Sequence, residues 1–181
     1  RAEGDRWPDI VHNMQNRIGI SSGQMVTGNM GSEARMNYTM MGDNVNTAAR
    51  LESSAKQYGV YIQIADSTYQ PVKDRVVVRD LDNVRVLGKN EPVKVWELIS
   101  EKGKEPESYK KILPAYHEAL DLYKNQEWSK AIEAFKASDA LEEMFGGRKT
   151  NPSRIYIPRC QHYLDNPPGD EWDGVWTLTS K

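Results

Sequence analysis

An amide and a guanidinium four residues apart, Asn46 and Arg50, follow a hydroxyl at Thr39 across the turn Gly42-Asp43. If a helix starts after the turn, that spacing puts Asn46 and Arg50 on one face, one turn apart. A hydroxyl, an amide and a guanidinium gathered around a strand–turn–helix suit a nucleotide: they can read a base edge, a sugar and a phosphate. The same residues have plain structural uses as well. An arginine on a helix commonly pairs with a carboxylate, here Asp43 or Glu52, and threonine is simply a good strand former. Spacing alone leaves both readings open.

The elements that must carry these groups are readable from periodicity. Residues 38–41 form a short apolar strand that stops at Gly42-Asp43, and residues 44–57 place Val45, Ala48, Ala49, Leu51 and Ala55 at helical spacing. Residues 17–21 alternate Ile18 and Ile20 around Gly19, as a strand does, and 23–31 are punctuated by glycine. A strand is expected over 60–65, a short helix capped by Asp66-Ser67 through 72, strands over 76–78 and 84–87, a turn at 88–92 and a returning strand over 93–99. That last strand puts Val93, Val95 and either Glu97 or Ile99 on one face. Residues 101–108 are charged, contain Pro and Gly, and read as a linker. Helices are then expected over 109–125, with Pro114 kinking it or delaying its start, and over 128–143. A third runs from 151 to about 164, and an aromatic tail follows at 172–178.

Composition removes several function classes. The chain has 181 residues, 38% of them hydrophobic, and a formal net charge of −2, which gives no electrostatic case for binding nucleic acid. No apolar run approaches the ~20 residues that span a bilayer, and no basic-then-apolar leader is visible. The single cysteine, Cys160, fits a reducing compartment. The first sixteen residues lack an initiator Met, so the chain reads as cut from something longer. Gly23 and Gly28 have P-loop spacing, but Asn29-Met30 stand where that chemistry needs Lys and Ser or Thr. Asn37-Tyr38-Thr39 is an accidental glycosylation sequon. His117-Glu118 lacks the second histidine of a helical zinc site, Cys160 and His162 read as ordinary packing or surface residues, and residues 80–83 lack the glycine and terminal Glu of a calcium loop. No metal ligands are assigned within the chain.

Taken together, residues 17–23 (RIGISSG), 28–31 (GNMG), 38–52 (YTMMGDNVNTAARLE) and 84–98 (VRVLGKNEPVKVWEL) resemble the C-terminal half of a class III nucleotidyl cyclase catalytic domain, bacterial type. The resemblance implies an α+β fold: a partial ferredoxin-like cyclase domain with a small α-helical hairpin extension. It divides the chain into 1–16, a remnant of upstream catalytic sequence; 17–100, the cyclase half; 101–108, the linker; and 109–181, the extension. It implies catalytic roles for Asn46, which orients the ribose, and Arg50, which binds the α-phosphoryl oxygens in the transition state. It implies substrate binding by Thr39 at the base and, as a partial stand-in, by Lys89 at the terminal phosphates. The family often has Lys two residues before Lys89, where this chain has Leu87. Thr39 favours ATP over GTP, because a hydroxyl can both donate and accept.

The implied reaction converts ATP to 3′,5′-cyclic AMP and pyrophosphate with two divalent metals, Mg2+ or Mn2+. The family's metal-binding aspartates and its purine-selecting lysine belong to the first half of the domain, so this chain would supply half a site and be inactive alone. The family works as a head-to-tail homodimer, with a cytoplasmic catalytic domain in a parent either free or anchored to the inner face of a membrane. Residues 109–143 resemble one tetratricopeptide-type hairpin, with Ala119, Leu122, Trp128, Ala131 and Phe135 near its small and aromatic positions, or else form a generic amphipathic hairpin. The hairpin should pack on the cyclase part, on the third helix or on a protein partner, and the two Trp of the tail should plug a hydrophobic groove. Guanylyl cyclase activity, a non-catalytic regulatory module and a helical-repeat adaptor are the competing readings.

Overall fold

The computed structural model describes residues 6–12, 14–84, 92–142, 149–169 and 171–176. A short α1 (Asp9–His12) precedes β1 (Ile18–Ile20) and the hairpin β2 (Val26–Ser32) and β3 (Arg35–Met41). Then follow α2 (Asp43–Tyr58), β4 (Ile62–Ala65), α3 (Asp66–Tyr69) with a 3-10 turn at Gln70–Val72, β5 (Val76–Val84) and β6 (Val93–Glu101). The chain continues through α4 (Glu107–Lys124), α5 (Trp128–Leu141) and α6 (Pro152–Asp165). The main sheet has the order β1-β4-β6-β5, with β1 parallel to β4 and the other pairs antiparallel. This is the α+β arrangement expected, with α2 crossing between the two parallel strands.

The position of α2 is fixed from the sequence upward. Its buried face is Thr47, Leu51, Ala55 and Tyr58, spaced by four, four and three residues. Thr47 can be buried because its hydroxyl donates to the Asp43 carbonyl at 2.8 Å. Leu51, Ala55 and Tyr58 join Val60, Ala65, Leu81 and Val95 in one apolar cluster, each large side chain contributing ~1.5–3 kcal/mol. Gly19 of β1 lets the helix lie directly on the strand: a Cβ there would fall 2.5 Å from the Glu52 amide nitrogen and 3.0 Å from Leu51 Cβ, with the Ala48 carbonyl closer still. Gly59, in the left-handed region at φ 66°, ends α2, and the Val60 amide reaches back to the Ala55 carbonyl at 3.0 Å.

A second core belongs to the helical part. Tyr116, Tyr123, Trp128, Phe135, Tyr156 and Tyr163 pack ring against ring with Ala119, Ala131 and Cys160 filling the gaps. Trp172 and Trp176 of the tail pack on this cluster, as expected of a plug; Trp172 also donates to the Tyr163 hydroxyl at 3.2 Å. The hairpin of α4 and α5 therefore buries its face on α6 and the tail, and reaches the main sheet through β5.

Three local expectations differ. Residues 26–32 form β2, paired with β3 from Arg35 to Met41, where glycine punctuation suggested a turn and a shorter strand. Residues 76–84 are one bulged strand rather than a strand, a gap and another strand. Pro114 sits inside α4 without shortening it.

Candidate active site

The helix that carries Asn46 and Arg50 begins right after β3. Gly42 breaks the strand, and the Val45 and Asn46 amides both point back to its carbonyl, at 3.1 and 3.2 Å. Asn46 and Arg50 lie on the exposed side of α2, away from Leu51 and Ala55. Four residues of helix separate them by about 6 Å along the axis. Thr39 lies on β3, opposite Gly28, and is exposed. It belongs to a separate two-stranded sheet, joined to α2 through Gly42, and no hydrogen bond or ion pair among the described residues links it to Asn46 or Arg50. Lys89 and Leu87 lie outside the described residues.

Asn44 was not read from the sequence as part of this arrangement. Its side-chain oxygen accepts from Ser21 at 3.2 Å, and its amide donates to the Gln24 carbonyl at 3.3 Å. It ties the loop after β1 to the first turn of α2. An Asn one residue after an Asp at a helix start was the available signal.

The other end of α2 is held by charge. Asp82, on β5, accepts at one oxygen from the Tyr58 hydroxyl and from Arg159 of α6, each at 2.6 Å. Its second oxygen takes the Asn83 amide at 2.8 Å. Burial, then the adjoining Asp82 carboxylate, push the Tyr58 phenol well up, so it stays a proton donor to Asp82. Burial is the largest influence on Arg159 and opposes its charge, but Asp82, Tyr58 and Tyr156 together outweigh it and the guanidinium stays charged. A second cluster sits three residues earlier on β5. Arg79, fully buried, donates to Glu97 of β6 at 2.7 Å and to Glu142 just beyond α5, under the rings of Tyr109 and Tyr116. Taking one partner from such a buried set costs ~3–5 kcal/mol, because it strands the other charge.

A cleft of about 250 Å3 lies at the seam between β5 and the helical part, bordered by Asp80, Asp82, Tyr123, Lys124, Tyr156 and Trp172. None of Thr39, Asn46 and Arg50 borders it. No group of three or more His, Cys, Asp or Glu among the described residues is arranged to hold a metal ion. No helix among them is long and apolar enough to cross a membrane. Around Thr39 the hairpin exposes Met25, Val26, Met36, Tyr38, Met40 and Met41, an unusually apolar surface for a two-stranded ribbon.

Comparison with known proteins bears on this geometry. The family described as "Adenylate and Guanylate cyclase catalytic domain" matches residues 6–100. The chain is 34% identical over 151 residues to "Adenylate cyclase, terminal-differentiation specific" of Dictyostelium discoideum, covering 81% of this chain and 7% of that protein. It is 34% identical over 85 residues to "Adenylate cyclase 1" of Rhizobium meliloti (strain 1021), covering 47% of this chain and 13% of the relative. The chain thus spans a small fraction of the curated relatives it matches. The first likeness, at 81% of the chain, reaches past residue 100 into the helical part. Among solved structures, that of the adenylyl cyclase CyaB from P. aeruginosa is 33% identical, covering 50% of this chain and 45% of that one, with a TM-score of 0.42. With its family region spanning β1 to β6, this chain belongs to the adenylate and guanylate cyclase catalytic domain family.

Proposed function

We propose that this chain supplies the ribose- and phosphate-binding half of an adenylyl cyclase site, in a protein that converts ATP to 3′,5′-cyclic AMP and pyrophosphate. The observation that carries the reading is the pair Asn46 and Arg50 on one exposed face of α2, inside the family match. The ribose 3′-hydroxyl attacks the α-phosphorus; one P–O bond forms there and the bond to pyrophosphate breaks. Asn46 orients the ribose by hydrogen bonds to its oxygens. Arg50 stays charged throughout and holds the negative charge that builds on the α-phosphoryl oxygens. Thr39 reads the adenine edge, and Lys89 approaches the terminal phosphates. The described residues do not form a metal site, so no metal step is assigned to them. The family's Mg2+ or Mn2+ pair would be bound by aspartates of the domain's first half.

The exposed apolar ribbon of β2 and β3 supports a second copy of the chain as partner, with each site completed across the seam. The helical hairpin, tetratricopeptide-like in its small and aromatic positions, remains available for a further protein contact on its exposed face. The catalytic half works in the cytoplasm. In the full-length protein, Arg50→Ala should lower kcat by about 10³-fold or more, as for arginines in other phosphoryl transfers, or roughly 4 kcal/mol. ATP should be preferred to GTP in the same assay. Unchanged turnover removes Arg50 from the mechanism, and a GTP preference overturns the role of Thr39.

A further inference from the structure

The seam between the cyclase half and the helical part converges on one end of the helix that carries Asn46 and Arg50. Tyr58 is the last residue of α2, eight residues or about 12 Å along the axis from Arg50. Its hydroxyl and Arg159 of α6 share the same oxygen of Asp82, each at 2.6 Å, and all three side chains are buried. Next in the chain, Gly59 lies against the Thr150 backbone: a Cβ there would fall 2.6 Å from the Thr150 carbonyl carbon. Ile155, one turn before Arg159, packs on the cluster formed by Leu51, Ala55 and Tyr58. Three contacts from one segment, residues 150–159, therefore meet the final turns of α2 and the residue that caps it. The middle of the same helix is pressed on Gly19, and its start is tied by Asn44. A helix pinned at its start, middle and end cannot slide or tilt without breaking one of these contacts, and removing one pin frees it at that end.

We infer that Arg159 is a positioning residue for the reaction: acting through the shared Asp82 carboxylate on Tyr58, it sets where α2 presents Asn46 and Arg50. The helical part is then a component of the catalytic apparatus rather than an appended module. Its presence in the likeness to the Dictyostelium cyclase agrees with such a role. This inference rests on the cyclase reading of Asn46 and Arg50.

The test uses the full-length protein with three variants: Tyr58→Phe, Arg159→Met and Arg159→Lys. Two properties are measured, the cyclase constants with ATP and amide hydrogen exchange along α2. Tyr58→Phe removes a single oxygen and keeps the ring, so it folds even where Arg159→Met does not. Tyr58→Phe should lower kcat by roughly tenfold with KM nearly unchanged, since ångström-scale misplacement of catalytic groups costs about that or more. Exchange should quicken in the amides of the last two turns of α2 ahead of those in α4 and α5. Arg159→Met should do the same more strongly, and Arg159→Lys, which keeps a charged donor, should recover part of kcat. If the wild type is active and Tyr58→Phe leaves kcat and α2 exchange unchanged, or quickens exchange evenly along the chain, the inference is overturned. A wild type without cyclase activity overturns the underlying reading instead, and the two failures are told apart by that control.

Discussion

Gly19→Ala puts the placement of α2 to its hardest test. The added methyl group would stand 2.5 Å from the Glu52 amide nitrogen, where ordinary contact begins near 3.4 Å, so helix and strand must part by about 0.9 Å, and by more at the Ala48 carbonyl. Neither neighbour is the end of a flexible side chain; both are helix backbone. The helix cannot give way alone, because Leu51, Ala55 and Tyr58 share its motion. Overpacking of this kind costs ~1–3 kcal/mol, and backbone on both sides places this case at the upper end. Urea unfolding followed by far-UV circular dichroism would read that loss as a lower midpoint with an unchanged slope. In the full-length protein, the residual folded fraction should lose roughly 10²-fold in kcat, because Asn46 and Arg50 ride on the displaced helix. A variant with wild-type midpoint and turnover would refute the close packing of β1 on α2 and every argument built on it.

Two further measurements probe the helical part. His117 is held below its usual value, chiefly by burial and further by Arg79 and Lys124, against the opposing pull of Asp80 and Asp121. Its Nε2 faces the Asp80 amide at 3.5 Å as an acceptor, which needs the neutral ring. The unfolded chain therefore takes up this proton first as pH falls below about 6.5, and stability declines on acidification until the folded value is passed. His117→Gln should flatten that part of the pH–stability curve, and an unaltered slope would exclude His117 as its source. Cys160 is buried among aromatic rings, with its thiol pushed up to about 12, chiefly by burial. Labelling of the native protein by a disulfide reagent at pH 8 should be slow and should track opening of the helical part; rapid stoichiometric labelling would contradict that burial.

What the sequence made legible followed from how local each determinant is. The face of α2, the turn at Gly42, and the pairing of Asn46 with Arg50 are set within a few residues, and periodicity carried them. Glu97 was already a candidate for the face of β6 that holds Val95, and it is buried there. The strand β5 was broken in two because Arg79, Asp80 and Asp82 look like a solvated turn. Among their partners are Glu142, Lys124 and Arg159, which lie 63, 44 and 77 residues away, beyond any window of neighbouring residues. The hairpin failed for a different reason. Every residue of β3 is exposed, so no alternation between a wet and a dry face marks it. Its apolar side chains stay exposed, so burial gave no periodic signal to read. Cys160 and His162, read together as packing or surface, divide: the thiol is sealed in the core and the imidazole lies outside.

The reach of Asp82 across the chain has a consequence for how the protein is made. Its counter-ion Arg159 is synthesised 77 residues later, a delay of about 4–15 s at ~5–20 residues per second. During that interval the carboxylate has only the Tyr58 hydroxyl and a neighbouring amide to satisfy it, and Arg79 has Glu97 without Glu142. Until α5, Glu142 and α6 have been made, this edge of β5 therefore lacks two of the buried partners that close it in the folded chain.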